Sequence, residues 1–271
     1  MVRILAAPPG ARSDRRMTLQ PLPAFADNYI WTLSDAAGLS VVVDPGEETP
    51  VLRDAAERGL QPAAILLTHH HADHIGGTAG LLRRWPGTPV FAPIDERIDL
   101  PCERVAQGDQ VAAGPWTFEV VEIPGHTRSH IAFVGQGQLF CGDTLFSLGC
   151  GRLFEGTAAQ MLESLDKLAR LPGDIQVCCG HEYTLANAAF ARRVDPENQA
   201  LRGRAEAAAR QLDAGKPTLP TTLGEELQAN PFLRVDDEAV RAAVASHLGH
   251  APRDRVECFA GLRQWKDGFR A

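Results

Sequence analysis

At 271 residues, 44% hydrophobic and 23% charged, the chain has an ordinary globular composition and ample length to bury one large core or two. A net charge of -7 argues against a nucleic-acid groove as its main business, and no window approaches the apolar length that a membrane span requires. The six cysteines (Cys102, Cys141, Cys150, Cys178, Cys179, Cys258) lack C-x-x-C spacing and read as reduced core thiols of a cytoplasmic protein.

Residues 1–16 are rich in Ala, Pro, Gly and Arg without periodicity, which predicts a flexible, dispensable extension. Residues 28–33 and 40–44 read as two strands of a hairpin ended by Pro45-Gly46. Residues 50–58 follow as a helix, with Pro in its first turn and Gly59 as its cap. A short apolar run at 63–68 predicts a buried strand that delivers T-H-H-H-A-D-H-I-G-G at its carboxyl end, and residues 75–84 then turn helical. Further strands are expected at 89–91, from about 105, at 116–123, 131–134, 138–141 and 175–179, with a helix at 158–170. Beyond His181 the pattern becomes helical without strands, at 184–193, 198–214, 237–248 and 255–266. The domain organisation so read is an extension at 1–16, a metal-binding domain at 17–182 and a smaller helical, substrate-binding domain at 183–271.

Four histidines and an aspartate within six positions from His69 are the density of a metal site, since a solvated turn gains nothing from imidazoles. His69 and His71, two apart, can face one side, while Asp73 and His74 can reach a second point nearby. His70 between them is expected to point away. Mixed imidazole and carboxylate donors suit zinc, iron or manganese rather than calcium. Three later strands each run into glycine and then a donor: Gly125-His126, Gly142-Asp143 and Gly180-His181. Glycine lets the chain bend sharply at a strand end, so these residues can converge on the same sheet rim. Asp44, at another strand end, is a candidate acceptor behind an imidazole ligand.

With T-H-H-H-A-D-H, G-H-T at 125–127, C-G-D-T at 141–144 and G-H-E-Y-T at 180–184, the chain resembles the metallo-β-lactamase superfamily. The likeness is closest to its hydroxyacylglutathione hydrolase (glyoxalase II) family, through D-N-Y-I-W at 27–31, C-G-R-L-F-E-G-T at 150–157 and N-P-F-L-R at 230–234. That resemblance implies an α/β fold, an αββα sandwich with a smaller C-terminal all-helical domain. It further implies two divalent metal ions, zinc in first place, one held by His69, His71 and His126, the other by Asp73, His74 and His181, with Asp143 bridging. It places Arg152, Phe154, Tyr183, Arg263 and Lys266 where the family holds glutathione, with Arg152 standing where Lys is common and Phe154 where Tyr is common. The implied activity is hydrolysis of S-D-lactoylglutathione to glutathione and D-lactate, the second step of methylglyoxal detoxification, by a cytoplasmic monomer with no nucleic-acid or membrane partner.

The ligand set carries its own chemistry. Two divalent ions side by side make hydroxide available near neutral pH, and Asp73 is placed to orient it and take its proton. Rival readings on the same scaffold are a mononuclear-iron persulfide dioxygenase, a lactonase or a phosphodiesterase, and, outside enzymes, a metal-stabilised binding module.

Overall fold

The computed structural model describes residues 17–270, so the extension expected at 1–16 lies outside the described residues. The first sheet is built from β1 (Thr18–Ala24), β2 (Asn28–Ser34) and β3 (Leu39–Val43), then helix α1 (Thr49–Arg58) and β4 (Gln61–Leu66). Helices α2 (Ala72–Ile75) and α3 (Thr78–Arg84), β5 (Val90–Pro93) and β6 (Glu103–Val105) complete it, with strand order β1-β2-β3-β4-β5-β6. The second half opens with β7 (Gln110–Ala113), β8 (Trp116–Glu122), β9 (Ile131–Gly135) and β10 (Gln138–Gly142). A small hairpin of β11 (Leu145–Phe146) and β12 (Gly149–Cys150) leads to α4 (Ala158–Leu168) and β13 (Gln176–Cys179). Then come α5 (Thr184–Val194), α6 (Gln199–Asp213), β14 (Thr221–Thr222), α7 (Leu223–Ala229), a 3-10 turn at Pro231–Leu233, α8 (Glu238–Leu248) and α9 (Arg255–Gly268). The second sheet runs β14-β13-β10-β9-β8-β7.

Strand alternation explains the layering. Trp31, Leu33, Val41 and Val43 face the second sheet and share one core with Phe118, Val120, Phe133 and Leu139. Ile30, Val42 and Ile65 point the other way, under Val51 of α1 and Leu81 of α3. Both faces of β2 to β4 are therefore covered, which is why these strands read as continuous apolar runs. The result is two facing sheets with helices on their outer sides, the αββα arrangement the resemblance implied, followed by a mainly helical region.

Two local expectations need correction, and one strand lies outside those expected. Strand β1 contains Pro21 and Pro23, which are tolerated because it lies at a sheet edge. The helix expected from residue 75 is broken at Gly76-Gly77, where a Cβ on Gly77 would lie 2.6 Å from Glu48 N. The C-terminal part is not free of strands, because β14 pairs antiparallel with β13 and extends the second sheet.

Candidate metal centre

Every candidate ligand lies where a strand of one sheet or the other runs out. Beyond β4, Thr68 fixes the start of the histidine loop by donating its backbone N–H to Asp44 Oδ1 (2.8 Å) and its hydroxyl to Asp44 Oδ2 (2.7 Å). Asp44 itself ends β3 in a left-handed conformation, φ 51°. The single turn of α2 then carries Asp73 and His74. Gly142, φ 46°, bends the end of β10 so that Asp143 turns inward, and a Cβ there would collide with the Thr68 hydroxyl. After β13, a Cβ on Gly180 would stand 2.6 Å from both Asp143 Oδ1 and His74 Cε1, so this position must be bare for the ligands to meet.

The second nitrogen of each ring settles which atom faces the centre. His69 Nδ1 pairs with Thr68 Oγ1 (3.0 Å), whose own proton goes to Asp44, so His69 is the donor there. His74 Nδ1 donates to Asp44 Oδ2 (3.0 Å), His126 Nδ1 to the Arg152 carbonyl (2.9 Å), and His181 Nδ1 to Asp27 Oδ1 (2.8 Å). The Nε2 lone pairs of all four are thereby turned inward. His69 Nε2 lies 3.0 Å and His126 Nε2 3.1 Å from His71 Nδ1, and one shared proton can satisfy only one of those contacts.

Asp143 stands between two groups of donors. Its Oδ2 is 3.5 Å from His126 Nε2 and 3.3 Å from His181 Nε2, and its Oδ1 is 3.4 Å from His74 Nε2. Asp73 Oδ2 approaches His181 Nε2 at 3.5 Å and His74 Nε2 at 3.7 Å, and it accepts from Asn28 Nδ2 at 3.0 Å. Donor atoms of His69, His71, His126 and Asp143 cluster within 4.8 Å, as do those of Asp73, His74 and His181. His74 Nε2 and Asp143 Oδ1 are buried without a hydrogen-bond partner. Orphaned donor atoms and lone pairs aimed at one another are what a cation site demands, so the residues fit a pair of metal ions.

The electrostatics divide the rings into two groups. Burial, then the neighbouring His74 and His130 rings, hold His69 well below the usual imidazole range, and burial with His126 lowers His71 to about 4, so both are neutral and able to ligate. Burial likewise lowers His126. For His74 and His181 burial opposes the charge, but the Asp143 carboxylate outweighs it and raises both. Asp143, despite burial, is held well below the carboxylate range by His74 and His181.

Three further residues support the ligands without having been expected to. His130 is wholly buried, stacks on His69 (4.5 Å, 16°), donates from Nδ1 to the Ile131 carbonyl and accepts the Asp143 N–H at Nε2 (3.1 Å). Asn28, the first residue of β2, and Asp27, in the turn before it, brace Asp73 and His181. His70 turns away from the ligand clusters, as expected, and sits between Asp95 Oδ2 (3.5 Å) and Glu155 Oε1 (3.7 Å).

Beside the centre opens a cavity of about 550 Å³ whose wall includes Arg152, Phe154, Tyr183, Arg263 and Lys266. Tyr183 lies flat on His181 (4.8 Å, 5°), while Phe154, well exposed, meets His71 and His126 edge-on. The two C-terminal cations differ in kind. Arg263 is 4% exposed, donates to the Cys150 carbonyl (2.7 Å) and Asp267 Oδ1 (3.0 Å), and lies over the Phe232 ring. Lys266 donates to the Ala186 carbonyl (3.0 Å), and burial pulls its ammonium down to about 8.

Two family models match this chain, the metallo-beta-lactamase superfamily over residues 31–181 and the hydroxyacylglutathione hydrolase C-terminus over residues 182–269. A hydroxyacylglutathione hydrolase of Xanthomonas axonopodis pv. citri (strain 306) is 56% identical over 255 residues, 94% of this chain and 100% of the relative. Among solved structures, ETHE1 from Myxococcus xanthus is 25% identical with a TM-score of 0.63, covering 94% of this chain and 92% of that one. TTHA1623 in a di-iron-bound form is 27% identical with a TM-score of 0.58, over 79% of this chain and 100% of its own.

Proposed function

The chain belongs to the hydroxyacylglutathione hydrolase family of the metallo-β-lactamase superfamily, and on that premise we propose that it hydrolyses S-D-lactoylglutathione to glutathione and D-lactate. The observation that carries the reading is the coincidence of similarity over the relative's whole length with a donor cluster in which Asp143 faces two groups of ligands beside a cation-lined cavity.

His69, His71 and His126 would hold one ion and Asp73, His74 and His181 the other, with Asp143 common to both. Zinc suits the set first, and iron or manganese would also be accepted. When bound, such a pair supplies Lewis acidity toward the thioester carbonyl and a water of lowered pKa. Asp73, braced by Asn28 and kept ionised against its burial by His74, is the group assigned to orient that water and take its proton. Asp44, Asp27 and the Arg152 carbonyl fix the tautomers of His74, His181 and His126, so the ligating nitrogens are set before substrate arrives. As the carbon–sulfur bond breaks the glutathione thiolate leaves without a general acid, because thiols ionise near about 8.5. Arg152, Arg263, Lys266, Tyr183 and Phe154 form the wall assigned to glutathione. The enzyme is read as a cytoplasmic monomer acting on a small thioester, without nucleic-acid or membrane partners; among the described residues no helix is long and apolar enough to cross a membrane.

The test is loss of the thioester's ultraviolet absorbance with S-D-lactoylglutathione, run beside oxygen uptake with glutathione persulfide. Hydrolysis without oxygen uptake is expected. Oxygen uptake without hydrolysis would transfer the chain to the dioxygenase reading.

A further inference from the structure

The wall assigned to glutathione contains a carboxylate that no step above uses. Asp267 lies in the last turn of α9 and lines the same cavity as Arg152, Arg263 and Lys266. Its Oδ1 accepts from Arg263 Nη2 (3.0 Å) and faces Arg152 Nε (3.6 Å). Its Oδ2 has no hydrogen-bond partner among the described residues, and the side chain is 44% exposed. Orienting the arginines is a weak reason for its presence. Arg263 is already fixed by the Cys150 carbonyl and the Phe232 ring, and Arg152, 61% exposed, is held only loosely. The helix itself gives no reason for a carboxylate here, since its carboxyl end carries partial negative charge that attracts a cation, and the two guanidiniums offset that repulsion.

Those features match a ligand of mixed charge. Glutathione carries two carboxylates and one α-ammonium, and apart from the candidate metal ligands Asp73 and Asp143 this wall offers three cations and one carboxylate. We propose that Asp267 is a specificity residue that receives the α-ammonium of the γ-glutamyl end through Oδ2, while the neighbouring cations take the carboxylates. The inference rests on the glutathione-thioester reading above. It adds to that reading a reason for selecting a zwitterionic thiol carrier over a purely anionic one.

The experiment compares two thioesters on metal-loaded enzyme: S-D-lactoylglutathione and its analogue in which hydrogen replaces the α-amino group. The wild type should show a KM about three- to fivefold higher for the desamino analogue, the range of a half-exposed ion pair, with kcat unchanged. Asp267→Asn should raise KM for the natural substrate by that factor and leave the analogue's KM unchanged, erasing the discrimination, and Asp267→Glu should restore part of it. Equal KM increases for both substrates in Asp267→Asn would reduce the residue to a brace for the arginines and overturn the proposal. So would a wild type that does not distinguish the two. A wild type that hydrolyses neither thioester would refute the underlying function instead, so the two failures are separable.

Discussion

Replacing Asp44 by Asn tests whether ligand orientation is set from behind the metal centre. Asp44 receives three donors, Thr68 N–H at Oδ1 and both the Thr68 hydroxyl and His74 Nδ1–H at Oδ2. An asparagine has one acceptor atom for these two positions. With its oxygen at the Oδ2 site, its NH2 opposes the Thr68 N–H; reversed, the NH2 confronts the His74 N–H. Either way at least one buried donor is stranded, which costs about 1–3 kcal/mol, or a Tm loss of roughly 3–10 °C. Asparagine accepts the left-handed backbone at this site, so the substitution adds no backbone strain of its own. The weaker acceptor also leaves the His74 ring less basic and less fixed, and metal affinity at the Asp73, His74 and His181 position should fall about 10- to 100-fold. Competition with a chromogenic chelator reads the affinity and calorimetry reads the stability. An Asp44→Asn protein with wild-type Tm and wild-type metal retention would refute the reasoning.

Asp73→Asn, at full metal content, should lose at least about 100-fold in kcat if Asp73 handles the proton, whereas near-normal turnover would leave it a ligand only. Lys266→Ala should raise KM about tenfold with Tm and kcat close to wild type, as loss of uniform binding energy predicts. Arg263→Ala should differ by also costing roughly 2–4 kcal/mol of stability, because it empties a buried site and strands the Cys150 carbonyl; unchanged Tm would contradict that. With the Lys266 ammonium at about 8 rather than near the ordinary lysine value, its charge is present below pH 8 and lost above it. KM should therefore climb as pH rises through 8, and Lys266→Arg should flatten that climb; a flat wild-type profile would argue against an ionic role.

The candidate ligands were legible because each is a polar residue beyond the end of an apolar strand, a pattern that survives without coordinates. The His-rich loop follows β4, Asp143 follows β10 and His181 follows β13. Asp44 was readable for the same reason. What stayed hidden depends on which side chains meet across long sequence separations. His130 announces itself by no spacing, and its value lies in stacking on His69 and accepting the Asp143 N–H. Asn28 bears on Asp73 across 45 positions. Arg263 and Lys266, three apart on α9, share a helical face, but spacing does not reveal burial. Both cations line the cavity, but the Arg263 guanidinium is buried and fixed by the Cys150 carbonyl while Lys266 is only half-buried. Strand β1, with Pro21 and Pro23, carries no clear strand pattern, and its place at the sheet edge is what tolerates them.

The central claim, that Asp143 unites two donor groups into one catalytic dinuclear centre, is tested most directly by stepwise metal reconstitution. Metal-free protein is titrated with zinc while S-D-lactoylglutathione turnover and bound metal are measured on the same samples. Turnover should reach its plateau only at two equivalents per chain, and Asp143→Ala should bind fewer and turn over almost nothing. Full turnover at one equivalent, or an Asp143→Ala protein with two tightly bound ions and normal kcat, would contradict the account.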